Sequence, residues 1–478
     1  MIPDLLTASI TMSQPDSTVP IAAASALSMT NRYVILICAF LGWLCAGFHL
    51  SITSLAMQPA AVDLLHNTGQ LDLSRFKAFN QLAPQKGRSP SSSTLSIRDT
   101  QQLQHWKALV TRWFAWYQCA FLFGAAAGGL LFGRLGDRWG RSTAMSASIL
   151  TYSLLAGAAT FAQEPWQLLV MWFFACTGVG GMWPNGVALV SEAWSSLSRP
   201  MVAGVIGTSA NIGIFLFATL AANVSITPES WRWVMLVATA PALLGFFALF
   251  YVPESPRWLA TRQSQPLATS QDNSNWEVFQ PPLLSATAIG IILATIPLIG
   301  AWGSANWMVP WAGEAGDAAT PPNPLLKAYV QQARSLTGIV GSLLGGWIGS
   351  WLGRRRTYFL ISLAALLISQ YTFWFVVPTD NDFLIWVAAL GLFSGIYFGW
   401  LPLFLPELFP TRIRSTGAGV SFNFGRILTA VTIFTTGTLT ATFGGDYAQI
   451  GRVTSLIFAL GMIVICLAPE TDQTRLDD

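Results

Sequence analysis

Charge is scarce in this sequence. Asp, Glu, Lys and Arg make up 10% of its 478 residues, and hydrophobic residues 53%, where a soluble domain carries about a quarter charged residues. A surface so poor in charge does not stay dissolved, which excludes the soluble class and points to a membrane protein. The net charge of +3 is too small to indicate a nucleic-acid partner. Histidine is nearly missing: His49, His66 and His105 are far apart. No H-E-x-x-H, G-x-S-x-G or phosphate-loop pattern occurs, so neither a membrane enzyme nor an ATP-driven pump is indicated, and no cofactor is expected. The five cysteines all fall in apolar runs without C-x-x-C spacing. They read as small buried hydrophobes rather than disulfides or metal ligands, and no metal site is expected.

What is abundant is the long apolar run. A membrane helix needs about 20 such residues, and twelve candidate spans can be counted: 33–57, 113–133, 143–162, 167–190, 201–223, 233–252, 283–305, 332–352, 357–377, 383–405, 416–441 and 453–468. The expected fold is an all-α membrane protein of 12 transmembrane helices in two pseudo-symmetric six-helix bundles. Its parts are an N-terminal tail, 1–31, a first bundle, 32–252, with a long external loop at 58–112, a polar central loop, 253–282, a second bundle, 283–469, and a tail, 470–478. The first apolar run is expected to act as a signal anchor. Arg134, Arg138, Arg141, Arg199, Arg257, Arg354, Arg355, Arg356 and Arg414 crowd one set of short connections, so both termini are expected in the cytoplasm, most simply of the plasma (inner) membrane.

The two bundles repeat. GRLGDRWGRS at Gly133 is matched by GWIGSWLGRR at Gly346, an offset of 213. Glu192 and Arg199 after span four are matched by Glu407 and Arg414 after span ten, an offset of 215. Pro253-Glu254-Ser255 is matched by Pro469-Glu470-Thr471, an offset of 216. Three landmarks at nearly one offset mark a parallel duplication.

Within the spans, ionisable residues are few. All 22 acids are assigned to loops, tails or helix ends, while Arg426 falls near the bilayer middle and His49 in the outer part of span one. An arginine at that depth costs at least about 2.5 kcal/mol unless compensated. With no carboxylate to pair with, Arg426 needs carbonyls, water or a visiting anion, with Asn423 one turn away as a neighbouring donor. The alternatives are an anion-binding arginine and a structural one bonded to a broken helix. His49 is open to three roles: carrying a coupling proton, touching substrate, or sitting as a neutral core histidine. Trp302 and Asn306 on span seven, and Trp183 and Asn185 on span four, place flat apolar faces beside amides, as a binding site would. Trp307 and Trp311 read as interfacial belt or vestibule. Gly124, Gly128, Gly129 and Gly133, like Gly341, Gly345 and Gly349, read as close-packing positions.

GRLGDRWGRS resembles the signature that follows the second helix of the major facilitator superfamily. PESPRW at Pro253–Trp258 and PELFPTRIRSTGAG at Pro406–Gly419 resemble its sugar-porter branch. GVGGMWPNGVALVSE and GAGVSFNFGR resemble the metabolite:proton symporters that carry sialate or aromatic acids. The resemblance covers about 32–470. It implies alternating access about a midplane site and a cytoplasmic latch between the halves built from Asp137, Arg138, Arg141, Glu192, Arg199, Glu254, Arg257, Arg354, Glu407, Arg414 and Glu470. The sequence departs from the acid:proton symporters at Ala46, His49 and Phe174, and Ser350 replaces the second signature aspartate. The function expected is transport of a small organic anion such as a sugar acid, with a proton or sodium as the candidate coupling ion, by a monomer in the lipid bilayer. The alternatives are a neutral sugar porter, for which no span-seven glutamine pair is seen, and a transporter-like nutrient sensor, which would add a long tail where eight residues follow Glu470.

Overall fold

A chain in hydrocarbon must satisfy its backbone polar groups internally, and the described residues are helical with no strand. The computed structural model describes residues 27–82, 95–194, 199–256, 258–259, 277–410, 414–439 and 446–471, with 199–204, 414–416 and 436–439 as backbone alone. Twelve long stretches run in order. Span one is Met29–Leu55, span two Ile97–Trp139, span three Arg141–Phe161, span four Pro165–Ala193, span five Arg199–Asn223 and span six Arg232–Tyr251. Span seven is Leu284–Asp317, span eight Leu326–Trp351, span nine Arg354–Phe375, span ten Phe383–Glu407, span eleven Arg414–Leu439 and span twelve Tyr447–Leu467. Eleven of these are long and apolar enough to cross a membrane. Span eight is 26 residues long, but Lys327, Gln331, Gln332 and Arg334 dilute its apolar character.

The external loop expected at 58–112 is largely helix instead. Met57–Asn67 and Leu73–Leu82 precede span two, which is 43 residues long and reaches well past the hydrocarbon. Leu64, Leu65, Leu71, Leu103, Trp106 and Val110 form the buried stripe of this outer layer. Asp63 anchors it to span six, accepting from Trp231 Nε1 at 2.9 Å and Arg232 Nη1 at 2.5 Å. Asp72 opens the helix Leu73–Leu82. The Arg75 amide and the Ser74 hydroxyl hold its carboxyl below the usual range.

Span seven also runs further than 283–305. A π-helical turn at Ile299–Ser304 and a 3-10 turn at Ala305–Trp307 interrupt it before it resumes as Met308–Asp317. Pro297, which offers no amide hydrogen, lies just ahead of the break. Wider turns of this kind concentrate at functional sites. Because the helix continues, Trp307 is fully buried, stacked on Tyr447, and is not an interfacial belt residue. Trp311 is partly buried, packed on Phe373 and Phe383.

Gly140 and Gly353, 213 residues apart, both take positive φ, +108° and +86°. Each ends one span and opens the next, which explains part of the repeated signature. Other glycines permit close approach. A Cβ on Gly128 would lie 1.8 Å from the Thr177 carbonyl oxygen, and one on Gly341 would lie 2.1 Å from that of Leu392. Gly133 is not of this kind, since a Cβ there meets nothing within 4 Å. Gly128→Val is expected to lower the thermal unfolding midpoint in detergent by several degrees, the overpacking costing about 1–3 kcal/mol. Gly133→Ala should leave it in place, and equal midpoints for the two variants would contradict this packing.

Candidate functional site

The charged residues of the repeat assemble into one cluster in each half. In the first half, the Glu254 carboxylate sits over the start of span three and accepts from the Arg141 and Ser142 amides at 2.8 and 3.1 Å, a favourable place for a negative charge. Arg141 pairs with Asp137 at 2.6 Å, and Ser255 donates to Glu192. In the second half, Arg354 grips Glu407 with two bonds, Nε to Oε2 at 3.0 Å and Nη2 to Oε1 at 2.9 Å. Thr471 donates to Glu407 at 2.6 Å, and Arg354 also reaches Ser350 at 3.4 Å. The equivalences are direct: Ser255–Glu192 answers Thr471–Glu407, and Arg141–Asp137 answers Arg354–Ser350. Each of these bonds lies within one half, and together they join the end of its second helix, the start of its third, the end of its fourth and the segment after its sixth. Arg138 and Glu470 are exposed, with no ion pair among the described residues. Arg199, Arg257 and Arg414 lie outside the described side chains.

Three expected binding residues sit inside the first half. His49 is fully buried, its Nδ1 3.2 Å from the Cys45 carbonyl oxygen and its Nε2 3.1 Å from that of Tyr152. Its ring lies between Trp172 and Tyr152. Carbonyls only accept, and a neutral imidazole carries one N–H, so the neutral ring makes one of these bonds and the charged ring both. Asn185 donates to the carbonyls of Phe132 and Gly181, both at 2.9 Å, tying span four to span two. Trp183 packs on Trp43 with ring centroids 5.0 Å apart.

The other four meet the partner half. Arg426 is 9% exposed. Its Nη1 donates to the Ala125 carbonyl of span two and to Asn423 Oδ1, each at 3.3 Å, and its guanidinium lies over Phe422 at 4.8 Å. The Asn423 amide fits against Gly129, where a Cβ would lie 2.9 Å from its oxygen, so that glycine makes room for a contact between halves. Trp302 stacks on Phe121 of span two with centroids 4.7 Å apart. Asn306, just past the π turn, accepts from Ser54 at 3.3 Å and from Arg334 Nη2 at 2.9 Å, and donates to Gln118 at 3.4 Å.

Arg334, Gln118, Gln331 and Ser54 were not expected. Arg334 belongs inside span eight, eight residues and roughly 12 Å from its start, where the hydropathy pattern placed it at a loop edge. The readable signal was the helical spacing of Lys327, Gln331 and Arg334, one polar stripe on a membrane helix. Arg334 Nη1, both amide atoms of Gln331 one turn earlier, Gln118 Nε2, and Ser304 Oγ and Trp307 Nε1 flanking Asn306 in sequence are buried without a protein partner.

Further from the signature, more bonds join the halves. Lys107 pairs with Glu314 at 3.1 Å, Lys327 donates to the Ile226 carbonyl at 2.6 Å, and Gln332 to Thr219 at 2.9 Å. Tyr447 OH lies 3.4 Å from both Gln58 Nε2 and Thr111 Oγ1. The described hydrogen bonds between halves therefore run from the middle of the bundle to the face opposite the signature. Glu314 and Asp317, on the extended end of span seven, are acids that the sequence reading had kept outside the spans.

The family model for the Major Facilitator Superfamily matches residues 40–433. A cis,cis-muconate transport protein of Acinetobacter baylyi is 29% identical over 330 residues, covering 66% of this chain and 76% of that protein. The sialic acid transporter NanX of Escherichia coli is 24% identical over 301 residues, 62% of this chain and 71% of its own. The niacin transporter NiaP of A. baylyi is 23% identical over 403 residues, 79% and 90%. Among solved structures, the E. coli xylose transporter XylE in a partially occluded inward-open conformation aligns over 94% of this chain and 100% of its own, with a TM-score of 0.61 at 14% identity. The human organic anion transporter MFSD10 aligns over 91% and 99%, with a TM-score of 0.58 at 15% identity. These two likenesses speak for the fold alone. A family match across most of the chain, over a duplicated twelve-helix fold, gives the assignment: the chain belongs to the Major Facilitator Superfamily, as a multi-pass membrane transporter of small-molecule metabolites and not an enzyme.

Proposed function

We propose that this transporter carries a small organic anion by alternating access and that Arg426 holds the anionic group. One observation carries the reading: Arg426 is buried between the halves against a carbonyl, an amide and a ring, with no carboxylate among its described partners. A guanidinium so placed is a ready fork for a carboxylate. Muconate, sialic acid and niacin, which the relatives' names record, are all organic acids, and this supports the same class. Asn423, Asn306 and Trp302 serve as neighbouring contacts. The basic residues Arg134, Arg138, Arg141 and Arg354–Arg356 favour a cytoplasmic signature face, with both termini. The bonds between halves then lie on the outer side and belong to a state closed toward the exterior. Lys107–Glu314, with side chains 23% and 22% exposed, is a tie weak enough to break in each cycle. The signature clusters act as rigid braces within each half, not as a latch between them.

A neutral sugar is the second reading, because Gln118, Gln331 and Asn306 supply amides that suit hydroxyl groups. A substrate panel separates the two. His49 is read as a strut of the first half, since its ring is enclosed by that half's own carbonyls and aromatics.

In proteoliposomes, Arg426→Ala is expected to lower uptake of an anionic substrate at least about tenfold, in line with about 1.5–3 kcal/mol for a charged hydrogen bond. Undiminished anion uptake, or uptake of neutral sugars alone, would overturn the anion reading. The pH profile of uptake should be the same for His49→Gln as for the unaltered protein, and a displaced profile would restore the histidine to proton coupling. Oxidative cross-linking of the double variant Lys107→Cys with Glu314→Cys should abolish uptake reversibly. Full transport by the cross-linked protein would rule out an outer gate at this pair.

A further inference from the structure

After Arg426, Arg334 is among the described residues a second buried guanidinium, linked to the first half through Asn306. Arg334 Nη2 is committed to Asn306, while Nη1 is buried with no protein partner. Gln331, one turn earlier on the same helix, leaves both amide atoms unpartnered. Gln118 Nε2, Ser304 Oγ and Trp307 Nε1 are in the same condition. Buried polar atoms without partners cost about 1–3 kcal/mol each, and these, on or bonded to the residues next to Asn306 and Arg334 and mostly donors, suit a negatively charged guest. No described carboxylate pairs with Arg334.

The two arginines address one ruler. Arg426 bonds the carbonyl of Ala125, and Arg334 reaches Gln118 through Asn306. Both positions are on span two, seven residues apart, so they share a face about 10 Å apart. Between them Phe121 stacks on Trp302, a flat apolar pair. The order along the helix is therefore guanidinium, aromatic pair, guanidinium.

We propose that the substrate is a dianion, a short dicarboxylate, with one carboxylate held by Arg426, the other by Arg334, and an apolar or unsaturated middle against Trp302 and Phe121. This rests on the anion reading above and names its substrate class. Two charges of one sign also set a specificity rule: a ligand with a single carboxylate leaves one buried guanidinium unanswered, and rejection follows from that unpaired group.

The test is competition for uptake in proteoliposomes by a series of straight-chain dicarboxylates of graded length, each beside its monomethyl ester and the monocarboxylate of the same length. The unaltered protein is expected to prefer one diacid over its own half-ester at least about tenfold, the value of one charged hydrogen bond. Arg334→Gln should reduce that preference to about one. Arg334→Lys, which keeps the charge and loses the fork, should retain part of it. If Arg334→Gln does not fold, the ratio in the unaltered protein and the lysine variant decide. Diacid and half-ester competing equally in the unaltered protein, with both dependent on Arg426, would overturn the dianion while leaving the anion reading intact. A diacid preference undiminished in Arg334→Gln would remove Arg334 from the site. Competition by no carboxylate at all would overturn both readings together.

Discussion

Containing positive charge inside an apolar bundle is the constraint on which the rest of this structure depends. A guanidinium at membrane depth must be answered by something. The protein answers Arg354 with Glu407 through two parallel bonds, both side chains 9% exposed. Among the described residues it answers Arg426 and Arg334 with neutral partners, a carbonyl, amides and a ring. The first arrangement is complete, and removing either partner would strand a buried charge. The second leaves Arg334 Nη1 without a protein partner, and on the proposed function an anion completes it. The same chain thus separates an arginine paired to a carboxylate from arginines bonded to neutral groups, and the proposal gives the second kind to the ligand.

On the proposed reading, solute recognition sits away from the charged signature. The repeat builds the same tie twice, a hydroxyl after the Pro-Glu pair bonding the glutamate at the end of the fourth helix of its half. The arginine that opens the third helix bonds that glutamate in the second half, as Arg354, and pairs with Asp137 in the first, as Arg141. On the proposed reading these bonds hold each half together as a unit during alternating access. The softer contacts, single hydrogen bonds and a partly buried ion pair, lie between the halves from the middle to the opposite face. A transporter needs that contrast, since states a few kcal/mol apart are both accessible only if what breaks is weak.

Much of this was legible beforehand because it rests on local rules. Twenty-residue apolar runs, basic connections and landmarks at one offset determine the span count and the duplication. Arg426 was legible as a lone charge in an apolar run. What escaped depends on polar residues within helices. The 58–112 segment pattern, rich in Gln, Lys and Ser, conceals helices whose narrow buried stripe is Leu64, Leu65, Leu103, Trp106 and Val110. Arg334 escaped because Lys327, Gln331 and Gln332 pull down the hydropathy of the turns around it. The π turn at Ile299–Ser304 moved the end of span seven outward and turned Trp307 inward. His49 and Asn185 carried the chemistry of a site, but their side chains face carbonyls of their own half, an orientation that spacing alone does not encode.

The central claim, that the buried arginines between the halves await an anion, is tested most directly by locating one. A crystal structure with a brominated carboxylic acid reports the ligand position through the anomalous signal of the bromine. The account predicts a carboxylate within hydrogen-bonding distance of the Arg426 guanidinium, with the ligand body against Trp302 and Phe121. A ligand seated within the first half near His49, or on the signature face beside Arg141 and Glu254, would contradict it.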